Sequence, residues 1–151
     1  MRPNSTPEPR VIKVARAWLG TPYIHQASLK GVGCDCLGLI RGVWREVEGT
    51  EPEKTPAYSS SWAETGKQEL LLNVANSHFK PVITSMRMPG DLIVFRIRPN
   101  AVAKHCGIMS GPGSFIHAYD GNIVVECRLT KFWVDRIAGV FRFPSATEDQ
   151  N

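Results

Sequence analysis

The chain has 151 residues, of which 42% are apolar and 21% are charged, and its formal net charge is +4. These values predict one globular domain with a single core, and because no apolar run approaches the roughly 20 residues of a membrane-spanning helix, we expect no membrane insertion. Lysine and arginine are scattered without a basic run or a recognisable nucleic-acid motif, so we also expect no nucleic-acid partner.

The N-terminal region predicts an arm followed by a helix. The first nine residues, MRPNSTPEP, lack the apolar stretch of a secretory signal, so we expect a protein made in the cytoplasm and not exported by a signal of its own. We predict residues 1–10 as a flexible arm. Apolar residues at positions 11, 14, 15, 18 and 19 have helical spacing and predict an amphipathic helix from Val11 to Leu19, which Gly20 and Pro22 end.

The second predicted helix begins at a cysteine. A loop from His25 to Gly33 leads to a helix from Cys36 to Val47, and Gly49 supplies its end. Cys36 therefore lies in the first turn, where free backbone N–H groups and the helix dipole stabilise a thiolate. The pattern predicts that Cys36 is a nucleophile.

The rest of the chain predicts an insert and then a meander of strands. Residues 50–81 are rich in Glu, Pro, Ser and Lys around one predicted helix, roughly Trp62 to Ala75, and we interpret them as a variable helical insert. Five strands follow, at Leu92–Phe95, His105–Ser110, Ser114–Tyr119, Asn122–Cys127 and Gly139–Phe143. Helices followed by strands indicate an α+β fold, with one domain over residues 11–144 and a flexible tail over 145–151.

Two histidines are predicted to share one face of a hairpin. If the hairpin closes around Pro112, His105 faces Tyr119 and Gly107 faces His117, so the two imidazoles form a diagonal pair. Diagonal Cβ atoms lie roughly 7 Å apart or somewhat less, within reach of a hydrogen bond between imidazoles. A register one pair tighter would place them directly opposite, still on one face. Either register allows one histidine to act as a base and the other to orient it.

These residues supply the parts of a thiol protease. Cys36 would attack a carbonyl, and His105, as an imidazolium, would hold the thiolate and later protonate the leaving amine. His117 would fix the tautomer of His105. The backbone N–H of Cys36 would bind the oxyanion, together with one further donor that the sequence does not identify.

Five short motifs occur in an order typical of one enzyme family. They are Trp18-Leu19-Gly20-Thr21-Pro22-Tyr23, Asp35-Cys36-Leu37-Gly38-Leu39, Pro89-Gly90-Asp91-Leu92, His105-Cys106-Gly107-Ile108-Met109 and Phe115-Ile116-His117-Ala118. Over roughly residues 11 to 143 the chain therefore resembles the NlpC-type papain-like cell-wall peptidases. The resemblance implies a papain-like cysteine peptidase fold, with N-terminal helices packed on an antiparallel β-meander, and no cofactor.

The resemblance also implies an activity and a set of site residues. It implies a Cys-His-His triad of Cys36, His105 and His117 that cleaves peptidoglycan stem peptides, typically between D-glutamate and a diamino acid. Tyr23 and Asp35 match positions that help bind the substrate near the nucleophile.

One residue departs from the family pattern. Many members have Ser directly after the nucleophile, where it helps bind a free stem N-terminus, whereas this chain has Leu37. The Asp-Cys-Leu-Gly-Leu version resembles the phage-tail and gene-transfer-agent branch of the family. Its members are made in the cytoplasm, built into a tail tip and open the cell wall during DNA delivery, so the implied partners are the stem peptide and tail-tip or baseplate proteins.

Two alternatives stand beside the peptidase. One is a structural tail-tip or baseplate component with residual or no catalysis. The other is a metal-binding module built from Cys34, Cys36 and Cys106 with a histidine, although the C-x-C spacing is not that of common structural zinc sites, and we expect no metal. We predict Cys127 to be an ordinary core residue.

Overall fold

The computed structural model describes residues 8–52, 69–119 and 121–148 of the chain. Helices and antiparallel strands make up these ranges, so the predicted α+β class is confirmed. None of the helices in these ranges is long and apolar enough to cross a membrane.

The first two helices lie in the N-terminal part of the chain, and the second begins at Cys36. Helix α1 spans Arg10–Arg16 and α2 spans Cys36–Val47. The bounds of α2 are those predicted, whereas α1 ends before the predicted Leu19, because the chain tightens into turns with i to i+3 hydrogen bonds there. The remaining described α-helices are α3 (Leu70–His78), α4 (Lys131–Val134) and α5 (Pro144–Glu148), and a short 3-10 helix spans Thr84–Met86.

In the ranges that the structure describes, eight strands form two antiparallel sheets. A two-stranded sheet pairs β1 (Ser28–Leu29) with β2 (Gly33–Cys34) just before α2. The larger sheet has the strand order β3-β8-β4-β5-β6-β7. Its strands are β3 (Lys80–Val82), β4 (Leu92–Phe95), β5 (His105–Gly111), β6 (Ser114–Ala118), β7 (Val124–Arg128) and β8 (Ile137–Arg142).

The larger sheet buries both of its faces. One face carries Val94, Cys106 and Ile108 and shares a core with the apolar stripes of α1 and α2. The opposite face carries a smaller cluster of Ile93, Phe95, Met109 and Phe115, and Trp133 of α4 packs against it. Because side chains alternate along β5, the neighbours His105 and Cys106 point to opposite faces.

Several predicted bounds differ from the observed ones. Only α3 represents the helix predicted from Trp62 to Ala75, and residues 62–68 lie outside the described ranges. Strand β7 begins at Val124 rather than Asn122, because the Asn122 N–H donates to the carbonyl of Tyr119 (3.0 Å) within the turn. Strand β8 begins at Ile137 rather than at Gly139.

The chain ends also bear on the predicted domain bounds. The predicted tail covers residues 145–151, but residues 145–148 belong to helix α5. The Ser145 N–H in this helix donates to the carboxylate of Glu48 (2.9 Å). Residues 1–7 of the predicted arm and 149–151 of the tail lie outside the described ranges. The division into arm, domain and tail stays a prediction.

Candidate active site

The start of α2 is built around a buried carboxylate. Asp35 is the N-cap residue, and its Oδ1 accepts the N–H of Gly38 (2.7 Å), as expected for an aspartate cap. Its Oδ2 accepts the N–H of Gln26 (2.7 Å), which ties the preceding loop to the helix. Cys36 is the first helical residue, so its own N–H has no acceptor within the helix. The cap therefore holds the thiol at a fixed helix terminus.

A glycine lets the loop approach the helix closely. A Cβ on Gly38 would lie 1.9 Å from the backbone oxygen of Ala27, a distance that no side chain can occupy. The Ser28 hydroxyl donates to the carbonyl of Gly38 (2.6 Å), and the Asp35 N–H donates to that of Ala27 (3.3 Å). The position after Leu37 must therefore be glycine for the loop to pack here.

The two histidines form the diagonal pair predicted from the sequence. Ile108 pairs with Ile116 across β5 and β6, and this register places Gly107 opposite His117. Both imidazoles are buried, and Nε2 of His105 lies 2.8 Å from Nδ1 of His117, which is hydrogen-bonding distance. The predicted register is confirmed. His105 is thus held through Nε2, which leaves its Nδ1 for another partner.

The thiol of Cys36 lies beside the start of β5. Its Sγ is 3.6 Å from the carbonyl oxygen of Lys104, the residue before His105. The Sγ of Cys106 lies 3.4 Å from the carbonyl oxygen of Cys36. Hydrogen bonding from Cys106, then hydrogen bonding and charge from His105, lower the pKa of Cys36 to about 5 against the opposing effect of burial. These interactions favour the thiolate form of Cys36.

The other thiols near Cys36 differ from it electrostatically. Hydrogen bonding to Cys36 and burial raise the pKa of Cys106 well above its usual value. Burial and the negative charges of Asp35 and Cys36 raise the pKa of Cys34 to about 12. Of these three adjacent thiols, only Cys36 is thereby set up as a nucleophile.

The second histidine is neutral and surrounded by aromatic rings. Burial, and then the charge of His105, lower the pKa of His117 to about 3. The ring of Trp133 lies 5.5 Å from that of His105 and 5.3 Å from that of His117, measured between centroids. Tyr119 lies 5.6 Å from each of the two imidazoles. These aromatic rings cover the histidine pair on the face of the sheet that carries the smaller apolar cluster.

Two residues of this environment were missed from the sequence. Trp133 lies on a four-residue helix that no periodic pattern announced. Cys127, interpreted as core, has its Sγ 3.3 Å from Nε2 of His117. This contact depends on the observed β6–β7 register, which pairs His117 with Val125 and so places Cys127 on the same face as His117.

The two predicted substrate-binding residues both adjoin Cys34 of β2, since Tyr23 forms a bridge to Cys34 and Asp35 follows it in the chain. Tyr23 is half-buried against the main core, and its N–H donates to the carbonyl of Asn122 (2.9 Å). Asp35 is only 2% exposed, and both of its oxygens already accept backbone N–H groups. His25 Nδ1 lies 3.8 Å from Asp35 Oδ2. The buried Asp35 therefore positions the loop and the start of α2 around the thiol, whereas Tyr23 is partly exposed to solvent.

The metal alternative requires a cluster of cysteine and histidine ligands. In the ranges that the structure describes, no group of three or more His, Cys, Asp or Glu side chains is arranged to hold a metal ion. The thiols and imidazoles instead bond to one another and to backbone carbonyls.

Comparisons with known proteins identify the family of this chain. A model of the NlpC/P60 family matches residues 20–142, which include Cys36, His105 and His117. The gamma-DL-glutamyl hydrolase of Bacillus subtilis is 27% identical over 144 residues, and the probable endopeptidase YafL of Escherichia coli is 27% identical over 126 residues. These alignments cover 95% and 82% of this chain but only 31% and 45% of those proteins. The chain therefore spans a third to a half of these curated relatives.

Solved structures support the fold. The NlpC/p60 domain of the peptidoglycan hydrolase SagA is 21% identical, with a TM-score of 0.64 over 89% of this chain and 97% of that one. An NlpC/P60 family protein from Bacillus cereus is 24% identical, with a TM-score of 0.62 over 93% of this chain and 42% of that one. The predicted papain-like fold is confirmed.

Proposed function

The chain belongs to the NlpC/P60 family, and on that premise we propose that it is a cysteine peptidase that hydrolyses peptidoglycan stem peptides. Cys36, His105 and His117 form its triad. The observation that carries this proposal is the buried imidazole pair, with 2.8 Å between ring nitrogens, at the strand end that adjoins a thiol of lowered pKa. A buried pair in which one imidazole orients the other is typical of a catalytic site.

The three residues have different roles in the reaction. The Cys36 thiolate attacks the peptide carbonyl carbon, and the His105 imidazolium gives a proton to the leaving amine, which departs and leaves a thioester on Cys36. Neutral His105 then takes a proton from water, whose oxygen attacks the thioester carbonyl. The C–S bond breaks, which releases the acid and restores the Cys36 thiolate beside the His105 imidazolium. The N–H of Cys36 donates to the oxyanion in both steps, while His117 accepts from Nε2–H of His105.

The substrate proposal concerns the bond after D-glutamate in the stem peptide. Its support is the family resemblance together with the similarity to a gamma-DL-glutamyl hydrolase. Tyr23 contributes the exposed part of its ring to substrate binding, and Asp35 contributes by holding the loop beside the thiol. Leu37 is only 5% exposed and has no hydroxyl to offer a substrate, so recognition of a free stem N-terminus relies on other groups.

A digest of purified peptidoglycan tests the proposal. Wild type is expected to release stem-peptide fragments, detected by liquid chromatography and mass spectrometry, and Cys36→Ala to release none. Cys34→Ala is the matched control, because Cys34 is an equally buried thiol two residues away with a raised pKa. Equal release by wild type and Cys36→Ala would contradict the assignment.

We also propose a setting for this activity. The chain is made in the cytoplasm, assembles into the tail tip or baseplate of a phage-like particle and acts on the cell wall during delivery. The support is the Asp-Cys-Leu-Gly-Leu motif with Leu37. Particles that carry Cys36→Ala are expected to assemble normally and infect poorly. Failure of these particles to assemble would instead favour a structural component.

A further inference from the structure

His117 has a second partner on the side away from His105. Its Nε2 lies 3.3 Å from Sγ of Cys127 on β7, while its Nδ1 lies 2.8 Å from Nε2 of His105. The register pairs Phe115 with Cys127 and His117 with Val125, so Cys127 is the diagonal neighbour of His117 on the same face. A chain of contacts thus crosses three strands, from Cys127 through His117 to His105.

Only one tautomer of His117 serves the proposed reaction. His117 is neutral, because burial and then the charge of His105 lower its pKa to about 3, so one ring nitrogen carries its single proton. When His105 is an imidazolium, its Nε2–H needs an acceptor, and Nδ1 of His117 is that acceptor. The proton of His117 must then be on Nε2. The other tautomer would direct two N–H groups at each other.

The Nε2–H group of His117 is buried and needs an acceptor of its own. Its partner in the structure is the sulfur of Cys127. Burial raises the pKa of Cys127, so this sulfur is a neutral thiol and not a competing charge. Cys127 also packs against the apolar cluster beside Trp133, which fixes its position. An unpaired buried N–H would favour the wrong tautomer or a rotated ring.

We propose that Cys127 is a positioning residue, whose sulfur accepts the Nε2–H of His117 and so holds the tautomer that receives the hydrogen bond of the His105 imidazolium. Cys127 touches no reacting atom and acts through His117. The inference rests on the proposed peptidase function, because the tautomer matters only if His105 takes up the proton of Cys36.

Three variants separate positioning from packing. Cys127→Ala removes the acceptor, and Cys127→Ser replaces it with a hydroxyl oxygen of similar reach. Leu129→Ala is the packing control, because Leu129 contacts the same apolar cluster. Nitrogen-15 spectra of histidine-labelled protein report the tautomer of His117 without any substrate. The pH dependence of Cys36 alkylation by iodoacetamide, followed on the Cys36 peptide by mass spectrometry, reports the thiolate.

The expected results follow from the loss of one hydrogen bond. Cys127→Ala is expected to lose the uniform Nε2–H tautomer, to raise the alkylation midpoint and to lower kcat/KM on stem peptide by about three- to tenfold. Cys127→Ser is expected to restore all three to within about twofold of wild type. Leu129→Ala is expected to change neither the tautomer nor the midpoint.

Two results would overturn the positioning role: a wild-type tautomer and midpoint in Cys127→Ala, or a Cys127→Ser variant that behaves like Cys127→Ala. The proposed function fails separately. If wild type hydrolyses no stem peptide while the tautomer depends on Cys127, the peptidase proposal is wrong, and the contact between Cys127 and His117 is supported.

Discussion

Replacing His105 with alanine tests how the thiolate of Cys36 is held. In the folded protein the pKa of Cys36 is lowered to about 5 by hydrogen bonding from Cys106 and by hydrogen bonding and charge from His105. His105→Ala removes the last two causes and leaves Cys106 in place. Loss of a neighbouring opposite charge raises the pKa of a thiol by about one to three units. We therefore expect the alkylation of Cys36 in His105→Ala to have its pH midpoint at about 7.

The assay is the rate of iodoacetamide alkylation of the Cys36 peptide from pH 4 to 9. A thiol of pKa about 5 is about nine-tenths thiolate at pH 6, whereas one of pKa about 7 is about one-tenth thiolate, which is a difference of about tenfold. The midpoint is the readout, because intrinsic nucleophilicity also changes with pKa. His78→Ala is the control, because His78, the last residue of α3, packs beside Trp44 and is not among the causes of the lowered pKa of Cys36. A wild-type midpoint near 8 to 9, or an unchanged midpoint in His105→Ala, would refute the reasoning.

Three further predictions concern the framework of the site, and each is measured by urea denaturation. Asp35→Ala removes the cap of α2 and leaves the Gln26 N–H without its acceptor. We therefore expect a loss of about 2 to 4 kcal/mol in the free energy of unfolding. A loss below about 0.5 kcal/mol would contradict this. Gly38→Ala is expected to cost at least about 3 kcal/mol of unfolding free energy, because the new Cβ clashes with the Ala27 carbonyl. Gly113→Ala is the control and is expected to be nearly neutral, because a Cβ there has no neighbour within 4 Å. Similar losses of stability in the two variants would contradict the clash. Arg142→Ala leaves the carboxylate of Asp91, which is 1% exposed, without its bidentate partner, and is expected to lower the free energy of unfolding by about 3 to 5 kcal/mol. Lys131→Ala, which breaks an exposed ion pair with Asp135, is the control and is expected to lower it by less than about 0.5 kcal/mol.

The parts of the fold that were predicted from sequence are those with strong local signals. Helix α2 has an aspartate cap before it, a glycine after it and an apolar stripe along it, and its bounds match the prediction. The diagonal pairing of His105 and His117 followed from the alternation of strands around a short turn. Strands β1 and β2 have two residues each, too few to show any alternation.

The parts that were missed depend on tertiary packing. The contact between Cys106 and the backbone of Cys36 exists because α2 docks on the face of β5 that carries Cys106. The contact between Cys127 and His117 depends on the β6–β7 register, which a five-residue connection obscures in the sequence. Trp133 reaches the histidines from a short helix whose position is set by the apolar cluster it covers. Such contacts join distant segments, and no local pattern encodes them.

Trapping the covalent intermediate tests the central claim, that Cys36 forms a thioester with the substrate, most directly. Hydroxylamine added to a digest of stem peptide competes with water for the thioester, so that the acyl group leaves Cys36 as a hydroxamate in place of the acid, and mass spectrometry identifies the hydroxamate. We predict that the hydroxamate replaces the acid as hydroxylamine increases, and that Cys36→Ala yields neither product. Hydrolysis without any hydroxamate, or equal product from Cys36→Ala, would contradict a covalent role for Cys36.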